Sequence, residues 1–161
     1  MRARAWALLA AAFIFTPACQ GESERAAPTA SALPERAPSG LPLVAVEIRT
    51  DAGVHRFIAE VAHSPAEQAR GLMFRERLGP DEAMLFPFQA PKRASFWMKN
   101  TPIPLDILFI RADGSIARIA ARTEPYSLAP LLSDEPVAAV LEIRGGRAAE
   151  LGIDEGDHVR W

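Results

Sequence analysis

Two short stretches of the sequence carry polar, charged and aromatic side chains in a pattern that could bind a ligand. The first is Arg70-Gly71-Leu72-Met73, and the second runs from Phe96 to Asp106. In an extended strand Ser95, Trp97 and Lys99 project to one face, because side chains alternate. An aromatic ring beside an ammonium group and amide donors is typical of a surface that binds a sugar or a small anion. We therefore predict a ligand-binding site that consists of Arg70, Trp97, Lys99, Asn100, Thr101 and Asp106.

Two prolines brace the second stretch. Pro102 and Pro104 each fix their own φ angle, and each pushes the preceding residue towards an extended conformation. We expect a stiff loop that holds Lys99, Asn100 and Thr101 in place. A preorganised loop lowers the entropy cost of binding.

Asp106 differs from the other predicted site residues because its charged side chain is expected to be buried. It shares a strand face with Leu108 and Ile110, so its carboxylate should be at least partly buried and should need a cation or several N–H donors. Two interpretations stay open. Either Asp106 and Arg70 line a polar pocket, with Lys99 as a second cation, or Asp106 pairs with Arg70 or ties down the proline loop and no ligand binds.

A hydrolase would need a second carboxylate. Glu142 is the candidate beside Asp106, although the alternation around it suits a solvated edge equally well. Such an acid and base must reach one cleft within about 5–10 Å. The sequence has no Ser, His and Asp in the order of a catalytic triad. It also lacks a phosphate-binding glycine loop and a dinucleotide-binding motif. We therefore expect a protein without catalysis, and the catalytic residues of the enzyme alternative are unknown.

No cofactor and no metal is predicted. The single cysteine excludes an intrachain disulfide framework and a thiolate zinc cluster, and the three histidines lack ligand spacing. Met73, Met84 and Met98 could gather as a thioether site for Cu(I). Methionine is far more often core filler, which is the interpretation that we favour.

Composition and charge exclude several classes of protein. Of the 161 residues, 49% are apolar and 24% are charged, which is ordinary for a globular protein and argues against a disordered chain or a fibre. The net charge of −2 supplies no basic field, so nucleic acid is not an expected partner.

The N-terminus has the pattern of an export signal. Two arginines precede the apolar run Ala5–Ala18, which at fourteen residues is shorter than the length that crosses a bilayer. Thr16-Pro17-Ala18-Cys19 resembles a bacterial lipoprotein cleavage site, at which Cys19 would be lipidated. We predict a signal peptide over residues 1–18 and membrane attachment through Cys19, in the outer membrane facing the periplasm. A plain signal peptide with secretion and an uncleaved anchor are the alternatives.

The rest of the chain divides into a linker and one domain. Residues 19–42 are rich in Pro, Ala, Ser and Glu without an apolar period, which predicts a lipidated cysteine followed by a disordered linker. Residues 43–161 suffice for a single core. Ser64, Pro65 and Glu67 have the spacing of a capped helix start.

Short apolar runs predict a mainly β (α+β) fold. The expected strands are Val44–Ile48, Val54–Val61, Met84–Phe86, Ser95–Lys99, Leu105–Arg111, Ser115–Arg122, Val137–Arg144 and His158–Trp161. With mostly antiparallel strands, the chain should form a compact jelly-roll-like sandwich or distorted barrel with one or two short helices.

The motifs also resemble a known family. The two stretches, with Met84-Leu85-Phe86 between them and Val140-Leu141-Glu142-Ile143 after them, resemble domain of unknown function 192 over about residues 44–161. The resemblance implies a compact, mainly β domain that is often secreted or membrane-attached. It implies no established activity.

The expected function is therefore that of a lipid-anchored, non-catalytic domain of the cell envelope that binds a small molecule or a glycan. The alternatives are an envelope glycan hydrolase that uses Asp106 and Glu142, and a purely structural scaffold. The sequence does not determine the oligomeric state.

Overall fold

The protein is described by a computed structural model that covers residues 37–161. The predicted signal peptide, Cys19 and most of the predicted linker lie outside the described residues. Within this part of the chain there are seven strands and two short helices. In chain order they are β1 (Leu43–Thr50), β2 (Gly53–Val61), α1 (Pro65–Arg70), β3 (Glu82–Phe96), β4 (Leu105–Ile110), β5 (Ile116–Ala120), β6 (Leu131–Arg144), α2 (Arg147–Leu151) and β7 (His158–Arg160).

The strands form one curled sheet, a half-barrel, in the order β5-β4-β6-β3-β2-β1-β7. Neighbouring strands are antiparallel except β2 and β3, which run parallel and are connected through α1. The two edges of the sheet meet at one end, where Ser115 and His158 form a bridge and the Val159 N–H donates to the Gly114 carbonyl at 2.8 Å. The predicted mainly β fold is confirmed, and the sheet has the form of a distorted, open barrel.

The cap of α1 is formed as its sequence predicts. The Ser64 hydroxyl accepts a hydrogen bond from the Glu67 N–H at 3.2 Å, and the Glu67 carboxylate accepts one from the Ser64 N–H at 2.7 Å. The helix ends at Gly71, whose φ of 47° is easily adopted by glycine. No helix among residues 37–161 has the length and hydrophobicity needed to cross a bilayer.

Strand β3 bends back on itself, which the sequence did not predict. Met84–Phe86 and Ser95–Lys99 were expected to be separate strands, but residues 82–96 form one strand that ends at Phe96. Its register against β6 shifts between Pro87 and Lys92. The rings of Phe86 and Phe96 nevertheless lie 5.1 Å apart, edge to face. A straight strand would separate them by roughly 33 Å. The second half of β3 therefore lies over the face of the sheet that is outside its curl, which we call the outer face.

Each face of the sheet has its own core. The inner core is enclosed by the curl of the sheet and by α2, whereas the outer core lies under the folded-back half of β3 and the loops next to it. All six residues of β4 are buried, which confirms the predicted strand covered on both faces. The largest fully buried side chains are those of Ile48, Phe57, Leu72, Met84, Leu85, Phe86, Met98, Leu105, Ile107, Leu108, Phe109 and Ile110.

The folded part of the chain begins before residue 43. Ala37 is buried, Leu41 packs against the outer core, and the Pro42 carbonyl accepts a hydrogen bond from the Val61 N–H at 2.9 Å. The Ser39 hydroxyl donates to the carboxylate of Glu60. Residues 37–42, assigned to the linker from their composition, therefore belong to the domain. Two apolar residues, one backbone hydrogen bond to β2 and one side-chain hydrogen bond hold them, and such contacts leave no periodic pattern in the sequence.

Candidate functional site

A groove of about 360 Å³ opens on the outer face of the sheet. It is lined by the end of α1, the turn after α1, both halves of β3, the loop after β3 and one residue of β6. Four of the residues predicted to form a binding site, Arg70, Trp97, Lys99 and Thr101, line this groove. The bend in β3 brings them together, because it places the end of that strand beside the end of α1.

The rim of the groove is cationic. Arg70, Lys92, Arg93 and Lys99 are all exposed, and none of them pairs with a carboxylate within residues 37–161. Two of these cations lie against aromatic rings instead. The Lys92 ammonium is 4.1 Å from the centroid of the Phe88 ring, and the Lys99 ammonium is 5.2 Å from that of Trp97. Unpaired cations around a concave surface favour an anionic ligand.

Apolar side chains form part of the walls and floor of the groove. Leu72, Phe86, Phe88, Phe96 and Trp97 contribute to them. Half of the Trp97 surface is exposed, so the face of a ring-shaped ligand could stack on it. The expected juxtaposition of an aromatic plane with the Lys99 ammonium is present.

Glu142 lies at the bottom of the groove and is only 5% exposed. Its cross-strand neighbours on the same face are Met84 and Ile107, both apolar and buried. Neither carboxyl oxygen has a hydrogen-bond partner within residues 37–161, and Oε2 is completely buried. Burial raises the pKa of Glu142 to about 8, because desolvation disfavours the ionised form. The carboxyl group is therefore neutral at pH 7, and the solvated-edge interpretation of this residue is wrong.

Asp106 does not belong to the groove. Its Oδ1 accepts hydrogen bonds from the N–H groups of Arg122 at 2.7 Å and Gly146 at 2.9 Å, and its Oδ2 accepts one from Ala148 at 2.9 Å. The side chain is fully buried on the inner face, at the start of α2. The predicted pairing with Arg70 is not formed, since three backbone donors already satisfy the carboxylate. Asp106 has a structural role and holds the turn that begins α2.

The two carboxylates proposed for a hydrolase lie on opposite faces of the sheet. Asp106 is paired with Ile143, and Ile107 is paired with Glu142, so Asp106 and Glu142 differ by one residue in register. Because side chains alternate along a strand, one carboxyl group projects inwards and the other outwards. They cannot act on the same bond, and the acid–base pair of the hydrolase alternative is not formed.

Asn100 supports the loop after β3 but is not in contact with the groove. It has a φ of 55°, a left-handed conformation that asparagine tolerates. Its carbonyl accepts a hydrogen bond from the Phe74 N–H at 2.7 Å, and its amide lies 3.7 Å from the sulfur of Met73. The loop is thereby joined to the turn after α1, which also lines the groove. Asn100 therefore positions its neighbours Lys99 and Thr101.

The proline loop is held by a close backbone contact. The Gly145 N–H donates to the Pro104 carbonyl at 3.0 Å. A Cβ atom at Gly145 would lie 2.8 Å from the carbonyl carbon and oxygen of Pro104, so only glycine fits there. Gly145 thus holds the loop at Pro104, a contact that the sequence did not identify.

The methionines act as packing residues. Met84 and Met98 are buried in the outer core, and the Met98 sulfur accepts a hydrogen bond from the Thr123 hydroxyl at 3.1 Å. Met73 lies at the groove and contacts Asn100. Within residues 37–161, no group of three or more His, Cys, Asp or Glu side chains is arranged to hold a metal ion.

Sequence reasoning missed three titratable residues of the groove. Lys92 and Arg93 were not considered, and Glu142 was placed beside Asp106 or at a solvated edge. A usable signal was Pro91, because a proline within a strand pattern often marks a bulge. The basic pair that follows this proline lies in the half of β3 that turns over the outer face.

Comparisons with known proteins identify a family and two related solved structures. Residues 46–161 match the family model DUF192, described as "Uncharacterized ACR". A crystal structure of a protein of unknown function from Novosphingobium aromaticivorans DSM 12444 is 48% identical, with a TM-score of 0.79 over 82% of this chain and 94% of that one. A protein from Sinorhizobium meliloti 1021, whose name assigns it provisionally to transcription regulation, is 40% identical, with a TM-score of 0.73 over 74% and 94%. No curated protein matches.

Proposed function

The chain belongs to the DUF192 family, and from the groove on this fold we propose that it is a non-catalytic binding domain of the cell envelope whose ligand is a small organic anion. The observation that carries the proposal is the rim of four exposed cations without carboxylate partners among residues 37–161. Elsewhere among residues 37–161, Arg56, Arg75 and Arg147 are paired with carboxylates, whereas Arg49, Arg77 and Arg122 have no carboxylate partner. The groove is distinguished because four unpaired cations line one concave surface. The charge at the groove is therefore free to meet a ligand.

The apolar side chains of the groove favour a ligand that contains an apolar or ring-shaped part. Trp97 and Phe88 offer ring surfaces next to the Lys99 and Lys92 ammonium groups. Small-molecule sites are typically concave and mostly apolar, with a few polar groups that fix orientation, and this volume lies at the lower end of their range. A carboxylated sugar or an aromatic carboxylate has the required combination of a ring and a negative charge.

A binding experiment with matched ligands tests the proposal. We would titrate the purified chain by calorimetry with glucuronate and glucose, and with benzoate and benzyl alcohol. Binding of a carboxylate but not of its neutral counterpart is the expected result. If no anion binds and none shifts the melting temperature, the groove is not a binding site and the scaffold alternative is favoured.

The envelope location rests on the N-terminal sequence. A short apolar run that ends at Ala18-Cys19 is the basis for the proposed lipid anchor, and the Pro-rich residues that follow would act as a tether. Stable anchoring needs more than one acyl chain. Expression in a bacterium with labelled palmitate should label the wild-type protein and not the Cys19→Ser variant, and the variant should leave the membrane fraction. Equal labelling of both proteins would contradict the anchor.

A further inference from the structure

We infer that the carboxylic acid of Glu142 contacts the bound anion and donates its O–H to an acceptor oxygen of that ligand. The inference deepens the proposed function of the groove and rests on it. It names the class of ligand more closely: an anion with an apolar or ring-shaped body and a carboxylate or carbonyl oxygen that reaches the bottom of the groove.

The first support is geometric. Glu142 is a polar side chain that lies 95% buried and lines the groove from below, without any hydrogen bond within residues 37–161. Folded proteins leave few buried polar groups unpaired, and such groups require an explanation. Met84 and Ile107, which flank Glu142 on the adjacent strands, have no donor or acceptor that could pair with it. Oε2 is sealed from the groove, whereas Oε1 keeps accessible surface, so Oε1 is the atom at which a ligand in the groove can supply a partner.

The second support is the contrast with Asp106 on the adjacent strand. That carboxylate is equally buried, but three backbone N–H groups donate to it. The fold is therefore able to satisfy a buried carboxylate. It also does so on the outer face, where Arg75 and Ser39 donate to the carboxylate of Glu60. The unsatisfied carboxyl group is the one that adjoins the groove.

The protonation state decides which kind of ligand group Glu142 can meet. Desolvation raises the pKa of its carboxyl group to about 8, so the group is a neutral donor at pH 7. Arg144, two residues further along β6, donates to Glu150 at 2.6 Å. The residues that β3 and β4 contribute beside Glu142 are apolar. The other titratable groups that line the groove are all exposed cations: Arg70, Lys92, Arg93 and Lys99.

These charges favour an anion over an ammonium compound. A cationic ligand would have to pass four positive side chains to reach a neutral carboxyl group. An anion meets those side chains first, and its acceptor oxygen then finds an O–H donor at the bottom. Ionisation of Glu142 would place a negative charge against the ligand, so binding should weaken as pH rises through the pKa of the residue.

The test compares the full wild-type chain with its Glu142→Gln and Glu142→Leu variants. Affinities for glucuronate and benzoate are measured by calorimetry at about pH 6.5 and about pH 9, on either side of the pKa of Glu142. Glutamine keeps a donor and does not titrate, whereas leucine removes the donor at similar volume. Wild-type affinity should fall about tenfold between the two pH values relative to the Gln variant, since about nine-tenths of Glu142 is ionised at the higher pH. The Leu variant should bind more weakly than wild type at the lower pH.

The outcomes separate this inference from the function on which it rests. If neither anion binds any of the three proteins, both are overturned. If an anion binds but the wild-type and Gln proteins have the same pH dependence, the groove remains a binding site and the role of Glu142 is overturned. Affinity that rises in the wild type towards pH 9 would also overturn it, because an ionised Glu142 would then be the binding form.

Discussion

Asp106 and Glu142 lie on adjacent strands, one register step apart, and project from opposite faces of the sheet. The first is bonded to three backbone N–H groups, whereas the second has no partner within residues 37–161. Two buried carboxyl groups of similar position thus have different roles. Asp106 stabilises the fold, and Glu142 belongs to the groove.

Replacing Asp106 with alanine should destabilise the domain without a direct effect on the groove. Three buried N–H groups would lose a charged acceptor, which we expect to cost about 3–5 kcal/mol of unfolding free energy. Urea unfolding measures this loss. The Asp106→Asn variant is the matched control and should lose less, because its remaining oxygen can still accept from Arg122 and Gly146. An Asp106→Ala protein of wild-type stability would contradict the structural role.

Glu142 should make the wild-type protein less stable as pH rises. Its folded pKa of about 8 lies above the ordinary value of 4.5, so the unfolded chain releases its proton first. Stability is therefore full below about pH 4.5, declines from there to about pH 8, and is unaffected by this group above that. The decline amounts to about 3 kcal/mol at pH 7.

Urea unfolding over this pH range, compared with Glu142→Leu, measures the effect. The leucine variant lacks the titrating group, so the difference in stability between the two proteins should grow in its favour with pH. A constant difference would show that the folded carboxyl group titrates normally.

Lys99 should contribute to anion binding and little to stability. It is exposed and has no carboxylate partner among residues 37–161, so Lys99→Gln should change the unfolding free energy by less than about 0.5 kcal/mol. Affinity for benzoate should fall about three- to tenfold, since a rim charge is lost. Arg56→Gln removes the same charge on β2, outside the groove, and serves as the control. Equal losses in both variants would indicate an effect of net charge alone.

Gly145→Ala should destabilise the proline loop. The new Cβ would lie 2.8 Å from the backbone of Pro104, and the strain of such an overpacked contact is about 1–3 kcal/mol. Gly156→Ala is a useful comparison, because a Cβ there meets nothing within 4 Å and only the φ of 99° opposes it. Thermal unfolding compares the two. A Gly145→Ala protein as stable as wild type would show that Pro104 moves away at no cost.

Local sequence patterns predicted the elements that depend on local physics. The capping box of α1 needs only Ser64, Pro65 and Glu67, which are neighbours in the chain. Strand β4 is apolar at every position, and a strand buried on both faces requires that composition. The juxtaposition of Trp97 and Lys99 could be predicted because the two residues are only two positions apart in the chain.

The groove depended on contacts between distant parts of the chain. Phe86 and Phe96 meet because β3 shifts register against β6. Pro91 marks an irregularity in that strand but does not show which side chains the bend brings together. The same bend joins Lys92 and Arg93 to Arg70 and buries Glu142 below them. An alternating pattern shows which side chains share a face, but not what covers that face.

The sequence by itself therefore determined the mainly β class, the capped helix and the types of side chain available for binding, since these follow from residue type and short-range spacing. Only the tertiary structure decided which carboxyl group is satisfied and which adjoins the groove. The reason is that hydrogen bonding and burial of Asp106 and Glu142 depend on strand register and on the backbone of distant turns.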